Sequence, residues 1–326
     1  MKDTAISILK ILEEAPGPIS GERIAEQLGI TRSAVWKQVR ELRRLGYSIV
    51  SSRTEGYRLE STSGKLLPYE IHKQLRTRLI GKQIRHFDRT ASTSWIAKQL
   101  ASETDPEQLH GMVIIAEEQT GGVGRLGRAW VSPAGGIWVT IILKPKIPID
   151  QLFMITMAGS IAIARAIRKE YNISALIKWP NDIFAGEKKV GGLLLELAAE
   201  ADTVHYALLG IGIDANISLD ELPPNLKDTV TSLEAEVGHE VDRVALLARV
   251  LREFELRFQQ LEDGEYDSII REWKSLSLTL DQRVAIRTIN KTFEGVAIDI
   301  DRHGALIIRR DNGGIERVIA GDCFQL

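Results

Sequence analysis

The first part of the chain has apolar side chains at helical spacing in three successive segments. The apolar positions within 8–12 predict a helix, which the Pro-Gly-Pro run at 16–18 ends. Ser20 can cap a second helix that stops at Gly29, and Thr31 can cap a third helix. Two helices joined by so short a turn are typical of a helix-turn-helix unit.

Behind the third helix the pattern changes to two short strand-like runs, 47–52 and 57–60, around the polar turn 53–56. A hairpin directly behind a recognition helix is a wing, and residues 31–45 carry five basic side chains against one acidic one. This combination favours DNA binding, although a small packing domain with a solvated basic face is the alternative. The candidate DNA-contacting residues are Arg32, Ser33, Trp36, Lys37, Arg40 and Arg53.

After a Ser-Thr-Ser-Gly linker at 61–64, helical patterns alternate irregularly with apolar, β-branched runs. The predicted helices include 94–104, 152–171 and 242–262, and the predicted strands 112–117, 136–143, 175–179, 191–197 and 205–213. Because strict βαβ alternation is missing, we predict an α/β domain with a mixed sheet. Short alternating strands from about 281 onward, with Asn312-Gly313 as a hairpin turn, predict a small barrel of SH3-like size with a packing or docking role.

The patterns therefore predict three domains, at 1–62, 66–275 and 280–326. Composition changes this picture little: 44% hydrophobic and 26% charged residues are typical of a soluble globular protein. The net charge of −2 argues against nucleic-acid binding by the whole surface, but not by one basic element. The single cysteine allows no internal disulfide, and we see neither a signal peptide nor an apolar run of membrane length, so we expect a cytoplasmic protein without a membrane partner.

The glycine loop at 119–130 contains a formal G-x-G-x-x-G motif. A dinucleotide-binding motif must open a helix, but the strand-like run 137–143 follows here, and no Gly-Lys-Ser/Thr closes a P-loop. What remains is a glycine loop with two guanidinium groups, Arg125 and Arg128, which can bind phosphate or carboxylate. A surface hairpin with solvated arginines is the alternative.

A second cluster, Lys178-Trp-Pro-Asn-Asp182, stands at the end of a predicted strand, where α/β proteins place ligands. Lysine, amide and carboxylate can supply a phosphate counter-charge, an orienting hydrogen bond and a metal ligand. A Pro-Asn turn capped by Asp182 is the alternative, although a lysine on a buried strand needs an anionic partner. Glycines at 191–192 and 210–212 again indicate close approach of a ligand to the backbone.

Taken in order, these motifs resemble the family of bifunctional biotin ligases and biotin-operon repressors over the full length of the chain. The resemblance rests on residues 32–37, Ser92-Thr-Ser94, the glycine loop, Lys178–Asp182, 189–193 and 210–213. It implies an α+β multidomain protein with an N-terminal winged helix-turn-helix. A central mixed-sheet α/β ligase domain, class II synthetase-like, and a small C-terminal SH3-like β-barrel follow.

The activity implied by the resemblance has two steps. Biotin and MgATP give biotinyl-5′-AMP, and biotin then passes to a lysine of the biotin carboxyl carrier protein of acetyl-CoA carboxylase or of another biotin enzyme. The family also represses biotin genes by binding operator DNA, with biotinyl-5′-AMP as co-repressor, as a homodimer when ligand or DNA is bound.

The resemblance also implies roles for individual residues. Lys178 and Arg125 are the candidate catalytic groups, and Asp182 is the candidate ligand of Mg²⁺. The implied biotin-binding residues are Ser92, Thr93, Ser94, Gln119, Val123, Gly124, Arg125 and Lys178. The implied ATP-binding residues are Arg128, Trp130, Asn181, Lys189 and Asn216.

Three positions depart from the family pattern. Ser94 stands where the family usually has Asn or Gln, Val123 where it has Arg, and Asp214 where it has Asn. Loss of one arginine at an anion site costs on the order of 2–4 kcal/mol, and an added carboxylate near ATP is expected to weaken binding further. A transcription regulator with a degenerate or altered ligase domain, or a ligase for another carboxylate such as lipoate, therefore stays open.

Overall fold

The computed structural model describes residues 3–52, 54–200, 203–288 and 291–326. By its internal contacts the chain divides into two compact units, Met1–Lys73 and Gln74–Leu326. The central and C-terminal parts of the sequence thus belong to one unit, while the boundaries of three separate domains stay a prediction.

The N-terminal unit is a helix-turn-helix with a hairpin behind it. Its elements are α1 (Asp3–Glu14), α2 (Gly21–Leu28), α3 (Arg32–Arg44), β1 (Ser48–Ser52), β2 (Gly56–Ser61) and the start of α4 (Pro68–Gln74). The side chains of Ser20 and Thr31 accept hydrogen bonds from the first turns of α2 and α3, and Gly29 ends α2 in a left-handed conformation. Val35, Val39 and Leu42 are buried on one face of α3, so the predicted apolar stripe is the core face.

The second unit is built on a seven-stranded mixed sheet in the order β3-β4-β5-β9-β8-β7-β6. Its elements are β3 (Ile84–Thr90), α5 (Thr93–Glu103), β4 (Val113–Gln119), β5 (Ile137–Leu143), α6 (Phe153–Tyr171), β6 (Ala175–Lys178), β7 (Asp182–Ala185), β8 (Lys188–Glu200), β9 (Thr203–Ile213), α7 (Leu233–Val237), α8 (Arg243–Glu262) and α9 (Tyr266–Ser275). Only the β3–β4 pair is parallel among the strand pairs of the described residues. The predicted mixed sheet is confirmed.

Helix α6 is the longest apolar element of this unit. By length and composition the segment Ile149–Tyr171 could cross a membrane, but 78% of its most apolar window is buried inside the unit. It packs against α8 and the sheet, and this contact explains why nearly all of its faces are apolar.

The C-terminal part of the same unit is a five-stranded antiparallel sheet in the order β13-β12-β11-β10-β14. Its strands are β10 (Arg283–Arg287), β11 (Thr292–Ile300), β12 (Leu306–Arg309), β13 (Ile315–Val318) and β14 (Asp322–Gln325). Four of the five strands match the predicted runs, which confirms a small C-terminal β-structure. The fifth, β14, was not predicted, and it is the strand that reaches the candidate site.

Candidate active site

One cavity of about 470 Å³ collects most of the predicted ligase residues. The start of α5 and the ends of β4, β6 and β9 line it, together with the glycine loop and β14. All predicted biotin-binding residues line this cavity, and so do all predicted ATP-binding residues except Asn216.

The neutral end of the cavity is a network of hydroxyl and amide groups at the start of α5. The backbone N–H and the hydroxyl of Thr93 donate to Gln119 Oε1 at 2.8 and 3.0 Å. Gln119 Nε2 donates to Ser132 Oγ at 3.0 Å. The hydroxyls of Thr93 and Ser94 both bond to Thr140 Oγ1, at 2.8 and 3.1 Å. Nothing in the sequence pointed to Thr140, because its buried position on β5 lies inside an apolar run.

Ser92 serves the same end of the cavity by starting the helix. Its hydroxyl accepts a hydrogen bond from the Trp95 backbone N–H at 3.5 Å, as an N-cap does. The predicted Ser92-Thr-Ser94 motif thus places a cap and two network hydroxyls in three successive residues.

The glycine loop is a hairpin. Trp130 N–H donates to Gly122 O at 2.9 Å, and Gly124 N–H donates to Arg128 O at 2.7 Å. A Cβ on Gly122 would lie 2.4 Å from Trp130 O, so only glycine allows the two arms to approach this closely. Strand β5 follows the loop, so the prediction that this motif is not a dinucleotide-binding turn is confirmed.

The two loop arginines are held by different partners. Arg125 donates to Asn181 Oδ1 at 3.1 Å and to Gly321 O at 2.7 Å, and its burial lowers the pKa of the guanidinium. Both terminal nitrogens of Arg128 donate to the Asp322 carboxylate. This hydrogen-bonded pair raises the pKa of Arg128 and lowers the pKa of Asp322.

Lys178 lies at the end of β6, where the Lys178–Asp182 motif forms the β6–β7 hairpin. Trp179 anchors this hairpin, because its indole N–H donates to Gly304 O at 3.1 Å and its backbone N–H to Thr279 Oγ1 at 2.9 Å. In the part of the chain that the structure describes, no carboxylate lies within 4.0 Å of Lys178 Nζ, which instead lies 5.1 Å from the Phe184 ring centroid. The anionic partner expected for this lysine is therefore not a protein carboxylate, and the cavity leaves that place to a ligand.

Trp130 and Lys189 occupy the neighbouring part of the cavity. Lys189 Nζ lies 2.6 Å from Asp182 Oδ1 and 4.7 Å from the centroid of the Trp130 ring. The Trp130 ring packs directly on the backbone of β9, because a Cβ on Gly212 would lie 2.8 Å from its Nε1. The glycines of β9 therefore make room for this indole.

Asp182 is the carboxylate that pairs with Lys189 in this part of the cavity. Among the described residues, no group of three or more His, Cys, Asp or Glu side chains could hold a metal ion. Asp182 already pairs with Lys189, so its role as a ligand of Mg²⁺ stays a prediction.

Asn181 and Asn216, both predicted to contact ATP, are placed differently. Asn181 lines the cavity, donates to Leu193 O and accepts from Arg125, so it orients that arginine. Asn216 lies outside the cavity lining, and its amide donates to Val241 O and accepts from Val241 N–H, both at 2.9 Å. The structure thus gives Asn216 a bond to the loop before α8 rather than a place in the cavity, because both polar atoms of its side chain are already used.

Asp214 lines the cavity at the end of β9 and is 5% exposed. Burial raises the pKa of its carboxyl to about 8, against a smaller lowering effect of Lys189. Burial therefore opposes ionisation of Asp214 at neutral pH, and the expected effect of this carboxyl on ATP binding stays a prediction. A protonated carboxyl can donate a hydrogen bond, and so can the side-chain amide of an asparagine.

The C-terminal strand β14 contributes Asp322, Cys323 and Phe324 to the cavity lining. The expected role of the C-terminal part, packing or docking, was therefore too narrow. This contact could not be read from the local pattern, since DCFQ is short and the residues it meets lie far away along the chain.

The candidate DNA-contacting face of α3 lies on the N-terminal unit. The side chains of Arg32, Ser33, Trp36, Lys37 and Arg40 are exposed there. The Arg40 guanidinium lies 5.1 Å from the Trp36 ring centroid. Arg43 instead donates to Ile49 O at 2.8 Å and to Ser51 Oγ at 3.1 Å, so it ties the helix to the wing. Arg53 lies outside the described residues.

Three family models match successive parts of the chain. The HTH domain matches residues 4–58, the biotin/lipoate A/B protein ligase family matches 87–214, and the biotin protein ligase C-terminal domain matches 279–325. The three matches follow the order of the winged helix, the mixed sheet and the C-terminal sheet.

Whole-chain relatives and a solved structure agree with these matches. The bifunctional ligase/repressor BirA of Bacillus subtilis is 37% identical over 305 residues, 93% of each chain. The protein of the same name from Escherichia coli is 26% identical over 315 residues, 95% of this chain and 94% of the relative. A biotin protein ligase from Aquifex aeolicus in complex with biotin and ATP covers 75% of this chain and 99% of its own, with 26% identity and a TM-score of 0.65. The chain therefore belongs to the family of bifunctional ligase/repressor proteins, with a central domain of the biotin/lipoate A/B protein ligase family.

Proposed function

We propose that this chain is a biotin–protein ligase that uses ATP to activate biotin and also represses transcription through its winged helix. The observation that carries the ligase function is the single cavity in which a neutral hydroxyl–amide network adjoins a cationic region. Biotin combines a neutral polar ureido group with a carboxylate, and ATP adds phosphates. The two kinds of surface match these two kinds of ligand group.

In the first step, a biotin carboxylate oxygen attacks the α-phosphate of ATP, and pyrophosphate leaves. Two anions approach each other, so cations must neutralise charge as the new bond forms. Lys178 fits this role best because no protein carboxylate neutralises it among the described residues. Arg125, positioned by Asn181, and Arg128 supply further positive charge.

In the second step, the ε-amine of a carrier-protein lysine attacks the carbonyl carbon of the mixed anhydride. AMP leaves, and the amine loses a proton as the amide forms. The acceptor lysine belongs to the carrier protein, so the chain needs no nucleophile of its own. Residues of the glycine loop line the cavity, and a loop ordered over the bound anhydride would limit the access of water to it.

The neutral network is assigned to biotin and the Trp130 region to the nucleotide. Thr93, Ser94 and Gln119 offer donors and acceptors for the polar ends of biotin. Trp130 is a platform for the adenine base, and Lys189 lies beside it. Asp182 is the carboxylate suited to Mg²⁺ that arrives with ATP, where the ion would neutralise phosphate charge.

For the repressor function, we assign operator DNA to the exposed face of α3, with biotinyl-5′-AMP as co-repressor. Two winged helices related by a two-fold axis can read a palindrome, so a homodimer in the liganded or DNA-bound state follows from this function. The carrier protein is that of acetyl-CoA carboxylase or of another biotin enzyme. We place the protein in the cytoplasm without a membrane partner.

Biotin-dependent exchange of pyrophosphate into ATP tests the ligase function. We expect exchange with biotin, and little competition by lipoate. Absence of exchange, together with ligand-dependent DNA binding, would leave only a regulator with a degenerate ligase domain. If lipoate supported the exchange better than biotin, the proposed substrate would be lipoate and not biotin.

Arg40→Ala tests the DNA-binding face. We expect operator affinity to fall about 10- to 100-fold, because one arginine contact to DNA is lost, while biotin transfer stays unchanged. Measuring both activities on the same preparation separates the two functions. Unaltered operator affinity would show that α3 is not the reading element.

A further inference from the structure

Asp322 is the first residue of β14, and the structure holds it firmly. It pairs with Arg287 of β10 in the antiparallel ladder, and only 10% of its side chain is exposed. Its partner Arg128 is 59% exposed at the tip of the glycine loop. The anchored member of the pair is therefore the carboxylate, and the loop arginine is the member that it positions.

Two consecutive residues of the C-terminal part hold the tip of the loop. Asp322 accepts from both terminal nitrogens of Arg128, and Gly321 O accepts from Arg125 Nη2 at 2.7 Å. Between these arginines, Leu126 is 70% exposed and has a φ of 57°, so the tip gains little from its own packing. Backbone hydrogen bonds hold the two arms of the hairpin together, but the contacts that join its tip to the C-terminal strand are made by its arginines.

The pair also leaves Arg128 able to bind a second anion. A guanidinium has five N–H groups, and the contacts with Asp322 need one from each terminal nitrogen. The remaining N–H groups stay available for phosphate, so Asp322 can orient Arg128 without replacing a ligand.

We propose that Asp322 is a positioning residue of the ligase site, which holds Arg128 and the tip of the glycine loop closed over the adenylate. This proposal rests on the proposed ligase function for its meaning in catalysis, but the closure itself can be measured without ligand. The adenylate is a reactive intermediate that must stay bound until the carrier lysine arrives. A carboxylate fixed on a neighbouring sheet is suited to keep the loop over it.

Limited trypsin digestion of the ligand-free full chain tests the closure. Trypsin cuts after arginine, and cleavage after Arg125 is the sharper readout because the hydrogen bonds of the Asp322 carboxylate go to Arg128. We expect Asp322→Ala and Asp322→Asn to speed this cleavage about tenfold, since Arg128 loses hydrogen bonds from both of its terminal nitrogens to the C-terminal strand. Asp322→Glu should restore much of the protection. Asp311→Asn is the matched control, because Asp311 forms a similar two-bond pair with Arg283 outside the cavity.

Escape of biotinyl-adenylate from the same variants tests the consequence for catalysis. We expect release into solution to rise about tenfold with Asp322→Asn, and to stay unchanged with the control variant Asp311→Asn. Equal cleavage after Arg125 in the wild type and both neutral variants would overturn the proposal. A lower KM for ATP without faster cleavage or release would also overturn it, because Asp322 would then only compete with phosphate. A wild-type chain that forms no adenylate would instead refute the proposed function, and the cleavage result would still stand.

Discussion

The neutral end of the cavity and its cationic end are held in place by different parts of the fold. Thr93, Gln119 and Thr140 come from the start of α5 and from the neighbouring strands β4 and β5, and they bond to each other. Arg125 and Arg128 come from a loop, and they bond to a hairpin and to the C-terminal strand. The first group is fixed by regular structure, and the second by contacts between segments far apart in sequence.

Because of this difference, loss of a side-chain partner should cost more stability at the neutral end than at the cationic end. The neutral network satisfies its own polar groups inside the sheet, so a lost hydroxyl leaves a buried partner without a bond. At the cationic end the groups are more exposed and carry charge, so loss of one partner is softened by water. Lys178 is the exception, because it faces the cavity without a carboxylate partner among the described residues.

The largest effect should come from Lys178→Ala. In the proposed mechanism Lys178 neutralises the negative charge of biotin carboxylate and phosphate, so we expect biotin-dependent pyrophosphate exchange to fall about 10²- to 10³-fold. Because Lys178 has no carboxylate partner among the described residues, we expect little loss of stability. Exchange rates and thermal unfolding of the same sample measure both effects. Lys188→Ala is the control, since Lys188 bonds to Lys227 O outside the cavity lining. Equal exchange rates in the wild type and Lys178→Ala would remove Lys178 from the mechanism.

Thr140→Val should disrupt the hydrogen-bond network at the neutral end of the cavity and leave the contacts at the cationic end unchanged. The variant keeps the shape of the side chain but takes a partner from the hydroxyls of Thr93 and Ser94. We expect the KM for biotin to rise about tenfold, the KM for ATP to stay constant and the free energy of unfolding to fall by about 1–2 kcal/mol. Thr156→Val, at a buried threonine of α6, controls for the loss of a hydroxyl as such. A parallel rise in both KM values would mean that the two ends are not independent.

The periodicity of hydrophobic positions in the sequence was sufficient to predict most of the helices and strands of the fold. Helix α3 and strand β5 have strong patterns, and caps such as Thr31 mark where helices begin. Elements without such marks were missed: β7 is four residues long, and β14 has too few alternating positions to be recognised. Short strands owe their conformation to their neighbours in the sheet, which the local sequence does not contain.

The residues of the candidate site could also be predicted only where the local sequence contained a signal. Lys178 could be named because its chemistry stands out at the end of a strand, and Gln119 could be named because the resemblance to the family implies it. Thr140 and Asp322 could not, because the first lies within an apolar run and the second meets Arg128 from 194 positions away. The sequence also did not show that the side chain of Asn216 bonds to Val241, and its contact with ATP stays a prediction.

Asp214 provides a test of whether an added negative charge weakens the binding of phosphate at the cationic end. Its pKa of about 8 means that it ionises as pH rises through that value, and a new negative charge should then oppose the binding of phosphate. We expect the KM for ATP to rise about tenfold between pH 7 and pH 9 in the wild type, and much less in Asp214→Asn.

The stability of the same two proteins gives an independent readout. Burial raises the pKa of Asp214 in the folded state above its unfolded value, so the folded state binds the extra proton between about pH 4 and pH 8. Stability should therefore decline with rising pH across this window in the wild type relative to Asp214→Asn. If urea unfolding showed the same pH dependence for both, Asp214 would not be the titrating group.

Val123→Arg should have the smallest effect. It tests whether the cationic end of the cavity binds anions more weakly because the family's arginine is replaced by valine at this position. The family pattern alone suggested a loss of about 2–4 kcal/mol at this position. Val123 is, however, 53% exposed at the rim of the cavity, so a new arginine there would be well solvated. We expect the KM for biotin to fall only about two- to fivefold, and more at low salt than at high salt. Val123→Leu, which changes size without charge, should leave this KM unchanged. A gain of a hundredfold would mean that position 123 lies within the buried anion site once ligand is bound.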